Sequence, residues 1–154
     1  MSLMVAAAML STFASTPVRR TDEFEGKVIR VLDGRTMNVH PDQELHGPAG
    51  HITLRLFGIV LPATSKHHSE LARQFLRRLV LGKRVHATIL RGDRQSVQCM
   101  VFLGERVVNC EILKAGLAVA EKQATSDYKG LAQAQNEARH ARRGIWSRRT
   151  FSSP

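Results

Sequence analysis

Asp33-Gly34-Arg35-Thr36, Arg55 and the turn Val60-Leu61-Pro62-Ala63 are the places where side-chain type and spacing bear on chemistry. The stretch RLFGIVLPAT, Arg55 to Thr64, reads as a strand entering a proline turn at the edge of a site, yet it holds no carboxylate. Metal-assisted cleavage of a phosphodiester needs carboxylate oxygens to hold a hard divalent cation. It needs a further carboxylate to orient or deprotonate the attacking water. Guanidinium forks match phosphate oxygens and neutralise charge on phosphorus. Arg35 and Arg55 therefore have two readings each. They converge on a phosphate and bind it without a metal, or Arg55 pairs with a nearby acid and Arg35 points into water from a pocket filled by apolar side chains. Asp33 is accounted for by turn chemistry, since Asp before Gly suits a two-residue hairpin turn.

Charge widens the search beyond that turn. The 154 residues carry 23 Lys and Arg against 13 Asp and Glu, a formal net charge of +10. A domain this basic meets an anionic partner: nucleic acid, an acidic protein surface or a lipid headgroup. Basic clusters lie at Arg77-Arg78, Lys83-Arg84, Arg91 and Arg94, and again at Arg139, Arg142, Arg143, Arg148 and Arg149. On a helix, Arg139, Arg142 and Arg143 share one side. Aromatic residues make up only 5% of the chain, whereas domains that hold single strands stack bases on aromatic rings. Phe57, on the strand face opposite the apolar set, offers one such platform; Tyr128 and Trp146 lie outside the strands. Binding to nucleic acid would then be mainly electrostatic and sensitive to salt. The histidines His40, His46, His51, His67 and His68 fit no common metal-ligand spacing and read as loop residues. Cys99 and Cys110 form no CxxC pair and read as small buried hydrophobes.

The elements that must position these residues follow from periodicity. Residues 24–39 give two β-rich runs around Asp33-Gly34, a hairpin signal. Residues 51–60 form a third strand, with Ile52, Leu54, Leu56 and Gly58 on one side and Thr53, Arg55 and Phe57 on the other. After Pro62 the period becomes helical, with Leu71, Phe75, Leu76, Leu79 and Val80 apolar and Gly82 as a left-handed stop. RVHATILRG and SVQCMVFLG are two further strands joined by a turn at Arg91 to Arg94. Asn109 caps a short helix stopped by Gly116, and Asp127 caps a longer one running to Arg143 and closed by Gly144. Five short strands with a helix between the third and fourth suit a small OB-type barrel, with Trp146 anchoring the C-terminal helices; a split α+β sheet is the competing architecture.

Five fragments in order, VIRVLDGRTMNV, ITLRLFGIVLPAT, ELARQFLRRLVLGKRV, GERVVNCEILKAGLAVA and EARHARRGIWS, resemble the staphylococcal nuclease (thermonuclease-like) family from about Glu25 to Ser147. The resemblance implies an α+β fold, a five-stranded OB-type β-barrel with three helices. It also implies an enzyme that hydrolyses DNA and RNA phosphodiesters with bound Ca²⁺. Position by position the implied machinery is largely missing. Where the family reads Asp-Gly-Asp-Thr, with the second aspartate on the metal, this chain has Arg35. The phosphate-clamping arginine matches Arg55. The second metal-binding aspartate falls on Val60, the following threonine on Leu61, and the glutamate that serves the water on Ala63. The second phosphate clamp falls on Val97, with Arg94 nearby if the turn slips. Arg35 would repel a divalent ion by several kcal/mol in a poorly screened cleft.

The resulting expectations are specific. Residues 24–148 form the nuclease-like domain, 1–23 a disordered tail or targeting segment, and 149–154 a C-terminal tail. The apolar run Leu3 to Leu10 is too short to span a bilayer, so no transmembrane segment is expected. An organellar or exported location follows only if the first residues are a targeting peptide. No catalytic residue and no cofactor are expected, the Ca²⁺ site being lost. First comes a pseudoenzyme that binds nucleic acid, DNA or RNA, through Arg35, Arg55, Lys83, Arg84, Arg91, Arg94, Arg139, Arg142 and Arg143. Next is an assembly subunit of a ribonucleoprotein or organellar complex, then an active metal-dependent nuclease with a displaced site using histidines and Asp33 or Asp93.

Overall fold

Strand formation begins where the alternation of the sequence begins. The computed structural model describes residues 23–42, 50–63, 65–92 and 96–147. In chain order the strands and helices are β1 (Glu23–Val31), β2 (Thr36–Pro41), β3 (Ile52–Leu56), β4 (Ile59–Val60), α1 (Lys66–Val80), β5 (Arg84–Gly92), β6 (Ser96–Leu103), β7 (Arg106–Val107), α2 (Val108–Lys114), β8 (Val119–Ala120), α3 (Lys122–Asp127) and α4 (Lys129–His140). A 3-10 turn, Gly144–Trp146, follows. The first and last tails of the sequence reading, along with His46, Asp93, Arg94, Arg148 and Arg149, lie outside the described residues apart from Glu23, which opens β1.

The strands pair in the order β3-β2-β1-β5-β6, and β3 runs parallel to β6, which closes the five into a barrel. Inward residues of every strand fill it: Val28, Met37, Val39, Leu54, Leu56, Val85, Cys99 and Val101 are almost wholly buried. Each such Leu or Val contributes roughly 1.5–3 kcal/mol relative to exposure. Helices α1 and α2 cap the core with Ala72, Leu76, Val80, Ile112 and Leu113. The five-stranded α+β barrel with helices is thus the architecture found, and β7 and a separate β4–β8 pair are added to it.

Several local expectations are corrected. The third strand does not run through residue 60: it breaks at Phe57-Gly58, where Gly58 has φ +70° and a Cβ would lie 2.7 Å from Ala124 Cβ and 2.8 Å from Leu131 Cδ1. The chain therefore turns under α3 and α4, and Phe57 becomes a core residue, 3% exposed, with its ring edge-on to Tyr128 at 5.6 Å. It is no platform for a base. The first hairpin loop has four residues, Leu32 to Arg35, rather than two. On α1 the fully buried stripe is Ala72, Leu76 and Val80, with Phe75 and Leu79 half-buried and Leu71 exposed.

Asn109 is not a helix cap, because Val107 occupies that position and the Asn109 amide is buried. Asp127 ends α3, and extended Tyr128 separates it from α4, so the long C-terminal helix is two. Gly82, Gly116 and Gly144 do adopt the left-handed backbone expected of helix stops, at φ +74°, +69° and +54°. Ile145 is the buried member of the last turn; Trp146 is only half-buried, with Arg139 stacked on its ring at 4.3 Å. Cys99 is buried, and its thiol is pushed up to about 12. Cys110 is only half-buried, and burial pushes its thiol up too.

Candidate functional site

The first hairpin and the turn after β4 meet beside the N-terminal half of α1, and β3 pairs with the hairpin's second strand. The hairpin loop is held by Asp33, whose Oδ1 accepts the Arg35 backbone N–H at 2.8 Å while Leu32 N–H donates to Thr36 O at 2.9 Å. That is the turn role read for Asp33. Gly34 is buried against α1: a Cβ there would stand 2.5 Å from Ala72 Cβ and 3.1 Å from Leu61 Cδ2. The hairpin is thereby pressed onto α1 and the proline turn with no room for a larger side chain.

Arg35 is half-buried, and its Nη1 donates to Ile59 O at 3.1 Å. It neither points into water nor stands free; it ties the hairpin to β4. The next backbone bond, Leu56 N–H to Arg35 O at 2.8 Å, fixes the hairpin to β3 as well. Val60 is 41% exposed and Ala63 is exposed, so the positions that the resemblance gave to a metal ligand and a general base present an isopropyl and a methyl group to solvent. Leu61 is half-buried against the core.

These residues do not fit a Ca²⁺ ion. Calcium takes six to eight oxygens, with carboxylates to balance its charge. Of the carboxylates beside this turn, Asp33 accepts from the Arg35 N–H and Glu70 is clamped by Arg73, while Ile59 O accepts from the Arg35 guanidinium. Thr36 Oγ1, buried and without a partner among the described residues, is a single neutral oxygen. Among the described residues no group of three or more His, Cys, Asp or Glu side chains is arranged to hold a metal.

On the outer face of the barrel, strand register brings cations together. Arg55 on β3 pairs with Gln98 on β6, and Gln98 pairs with Arg91 on β5. Paired residues share a face, so Arg55, Gln98 and Arg91 form a row outside the barrel. Arg55 and Arg91 are exposed, and the Arg91 guanidinium also lies over the Phe57 ring, 5.4 Å from its centroid. Arg55 has no side-chain partner among the described residues. Val97, the residue aligned with the second clamp, is 5% exposed and faces the core, while Gln98 beside it faces out with Arg55. Gln98 was not singled out from sequence, although its place between buried Val97 and Cys99 marks it as outward-facing.

The remaining basic residues are dispersed or engaged. Arg84 is bound by Glu25 at 3.0 Å and Asp42 at 2.6 Å. Arg143 donates to Lys114 O at 3.0 Å and pairs with Glu137 at 3.5 Å. Arg139 stacks on Trp146, and exposed Arg142 leaves the helix with φ +52°. Lys83 is exposed just after α1. Of the nine residues expected to bind nucleic acid, Arg35, Arg55 and Arg91 gather at one end of the barrel, and Arg94 lies outside the described residues.

What places these side chains is a shared scaffold. Asn109, wholly buried at the start of α2, accepts from Val101 N–H at 2.9 Å and donates to Phe57 O and Cys99 O at 3.0 and 3.1 Å. One amide thus joins α2, β6 and the turn that leads to the rim. Sequence comparison agrees with that architecture. The family described as staphylococcal nuclease homologue matches residues 53–148. An uncharacterized endonuclease of Escherichia coli is 32% identical over 135 residues, covering 86% of this chain and 83% of its own length. A thermonuclease of Staphylococcus hyicus is 30% identical over 150 residues, covering 88% and 83%. With the closed barrel, its helical caps and these matches together, the chain belongs to the staphylococcal nuclease homologue family.

Proposed function

We propose that this chain is a nuclease-like domain that holds nucleic acid at its basic rim without hydrolysing it. The observation that carries the reading is Arg35, whose guanidinium binds Ile59 O at 3.1 Å and so spans the hairpin and the turn where a metal site would need carboxylates. A guanidinium there favours phosphate and disfavours a divalent cation for the same electrostatic reason. Arg55 and Arg91 extend the positive rim on either side of Gln98. Asp33 accepts from the Arg35 N–H, Glu70 is clamped by Arg73, and Val60 and Ala63 carry no acid, so the rim is built to orient a phosphodiester and stabilise its charge.

The formal charge of +10 supports the same reading through counterion release. Titration of the full chain with labelled DNA and RNA at several salt concentrations tests it. Affinity falls steeply as salt rises, and Arg55→Ala lowers the log–log slope by about 1 while weakening all sequences alike. Affinity indifferent to ionic strength contradicts the proposal.

A second reading, an assembly subunit, is favoured by large aliphatic residues on the surface: Ile29 is 49% exposed and Leu32 and Val60 are each 41% exposed. It predicts a defined protein partner and little affinity for naked nucleic acid. The two relatives named as nucleases keep the third reading in play, an active enzyme with a displaced site, and chelator-sensitive cleavage would establish it.

A further inference from the structure

A groove of about 430 Å³ runs between the end of β1 and the C-terminal half of α1, and nothing in the nuclease-like reading uses it. Its walls alternate aliphatic and cationic side chains: Ile29, Leu32 and Leu81 with Arg30, Arg73 and Arg77. A β-bulge between Val28 and Arg30 creates this wall by shifting the register of β1, so that Ile29 and Arg30 both face outward in succession. Arg73 and Arg77, one turn apart on α1, line the opposite wall.

The cations differ in what they already hold. Glu70 clamps Arg73 through two bonds, at 2.9 and 2.6 Å. Arg73, then Gln74, hold the Glu70 carboxyl at about 2. Arg30 has no side-chain partner among the described residues, and Arg77 makes no hydrogen bond or ion pair there, its charge reaching Glu70 only at longer range. The groove thus presents two positive charges with no acid in direct contact, set among aliphatic surface. A nucleic-acid strand would satisfy the charges and leave the aliphatic groups uncovered, for no aromatic ring lines the groove. At the adjoining end the lining includes Asp33 and Glu70, whose carboxylates repel phosphates.

We propose that this groove docks a segment of a partner protein in which carboxylates are interleaved with aliphatic side chains. Acids of that segment pair with Arg30 and Arg77, and its aliphatic residues cover Ile29, Leu32 and Leu81. Charge complementarity chooses the sign of the partner, and aliphatic lining chooses protein over nucleic acid. The site is independent of the Arg55 rim and stands whether or not that rim binds nucleic acid.

A random-peptide phage library panned on the full chain tests it, with the enriched peptide then synthesised and its affinity measured by fluorescence anisotropy. The expected result is a consensus of Asp or Glu interleaved with Leu, Ile or Val. Its affinity falls by about tenfold or more in Arg30→Gln/Arg77→Gln and again in Ile29→Ser/Leu32→Ser. All four positions are at the surface, and circular dichroism with a thermal melt checks that both variants fold. Enrichment of no such consensus overturns the proposal, as does a consensus peptide indifferent to both variants. An oligothymidylate that loses as much affinity as the peptide in Arg30→Gln/Arg77→Gln also overturns it and makes the groove a nucleic-acid surface.

Discussion

Asn109 and Arg35 each bridge elements distant in sequence, and the fold treats them differently. Asn109 has no exposed surface, and its amide makes three hydrogen bonds to backbone groups of β6 and the Phe57 turn. Arg35 is half-buried, with one side-chain bond, to Ile59 O. A buried polar group left unmatched costs the full desolvation penalty, so the Asn109 position tolerates little change. At the rim, water replaces whatever contact is lost, so side chains there vary at small cost to folding. The contrast fits a chain that keeps a nuclease-like barrel while its rim carries Arg35, Val60 and Ala63 at the positions where the family resemblance implies acids.

Changes at either place sharpen or break that contrast. The largest effect is expected from restoring acids to the rim. Arg35→Asp with Val60→Asp and Ala63→Glu should bind Ca²⁺ with a Kd of about 1 mM, a standard binding free energy of about −4 kcal/mol. Calorimetry checks it, and no heat of binding would mean that the rim backbone also departs from a metal-holding shape. Asn109→Leu comes next. It strands the Val101 N–H and Phe57 C=O and should lower unfolding free energy by about 3 kcal/mol in urea titration. A loss below about 1 kcal/mol would remove Asn109 from the scaffold. Gly34→Ala forces a Cβ to 2.5 Å from Ala72 Cβ and should cost about 1–3 kcal/mol by the same measurement. Its nucleic-acid affinity should fall with the displaced hairpin.

The smallest effect is expected at Glu70. Its folded pKa is lowered from 4.5 to about 2, by Arg73 first and Gln74 second. The carboxylate therefore contributes above its unfolded pKa, and the contribution is lost as pH falls from 4.5 towards 2. Because the pair is solvent-exposed, Glu70→Gln should leave the melting temperature at neutral pH nearly unchanged. It should flatten only the acid limb of the stability profile. A large loss at neutral pH would mean that Glu70 is part of the scaffold.

Much of the barrel was legible because alternation and helical spacing are properties of short windows. Ile52, Leu54 and Leu56 announced a half-buried strand, and Gly82 its preceding helix's end. Phe57 and Gly58 continued the alternation on paper, but a close approach to Ala124 and Leu131 turned the chain and buried the ring. That approach joins residues more than sixty positions apart, which no local pattern carries. Asn109 failed in the same way, since capping is local and its three partners lie on other elements.

At the site, residue types were legible through the family resemblance, and their assembly was not. The pairing of Arg55 with Gln98 and Arg91 depends on strand register across three strands. Arg84 and Arg143 looked like free cations in the sequence and are held by acids in the fold.

The most direct test of the central claim is hydrolysis of DNA and RNA by the purified, unmodified chain in calcium, measured as acid-soluble nucleotide released with and without a chelator. The account predicts the same background release in both, because Arg35, Val60 and Ala63 offer a divalent cation no carboxylate. Release that rises with enzyme concentration and disappears with the chelator would contradict it.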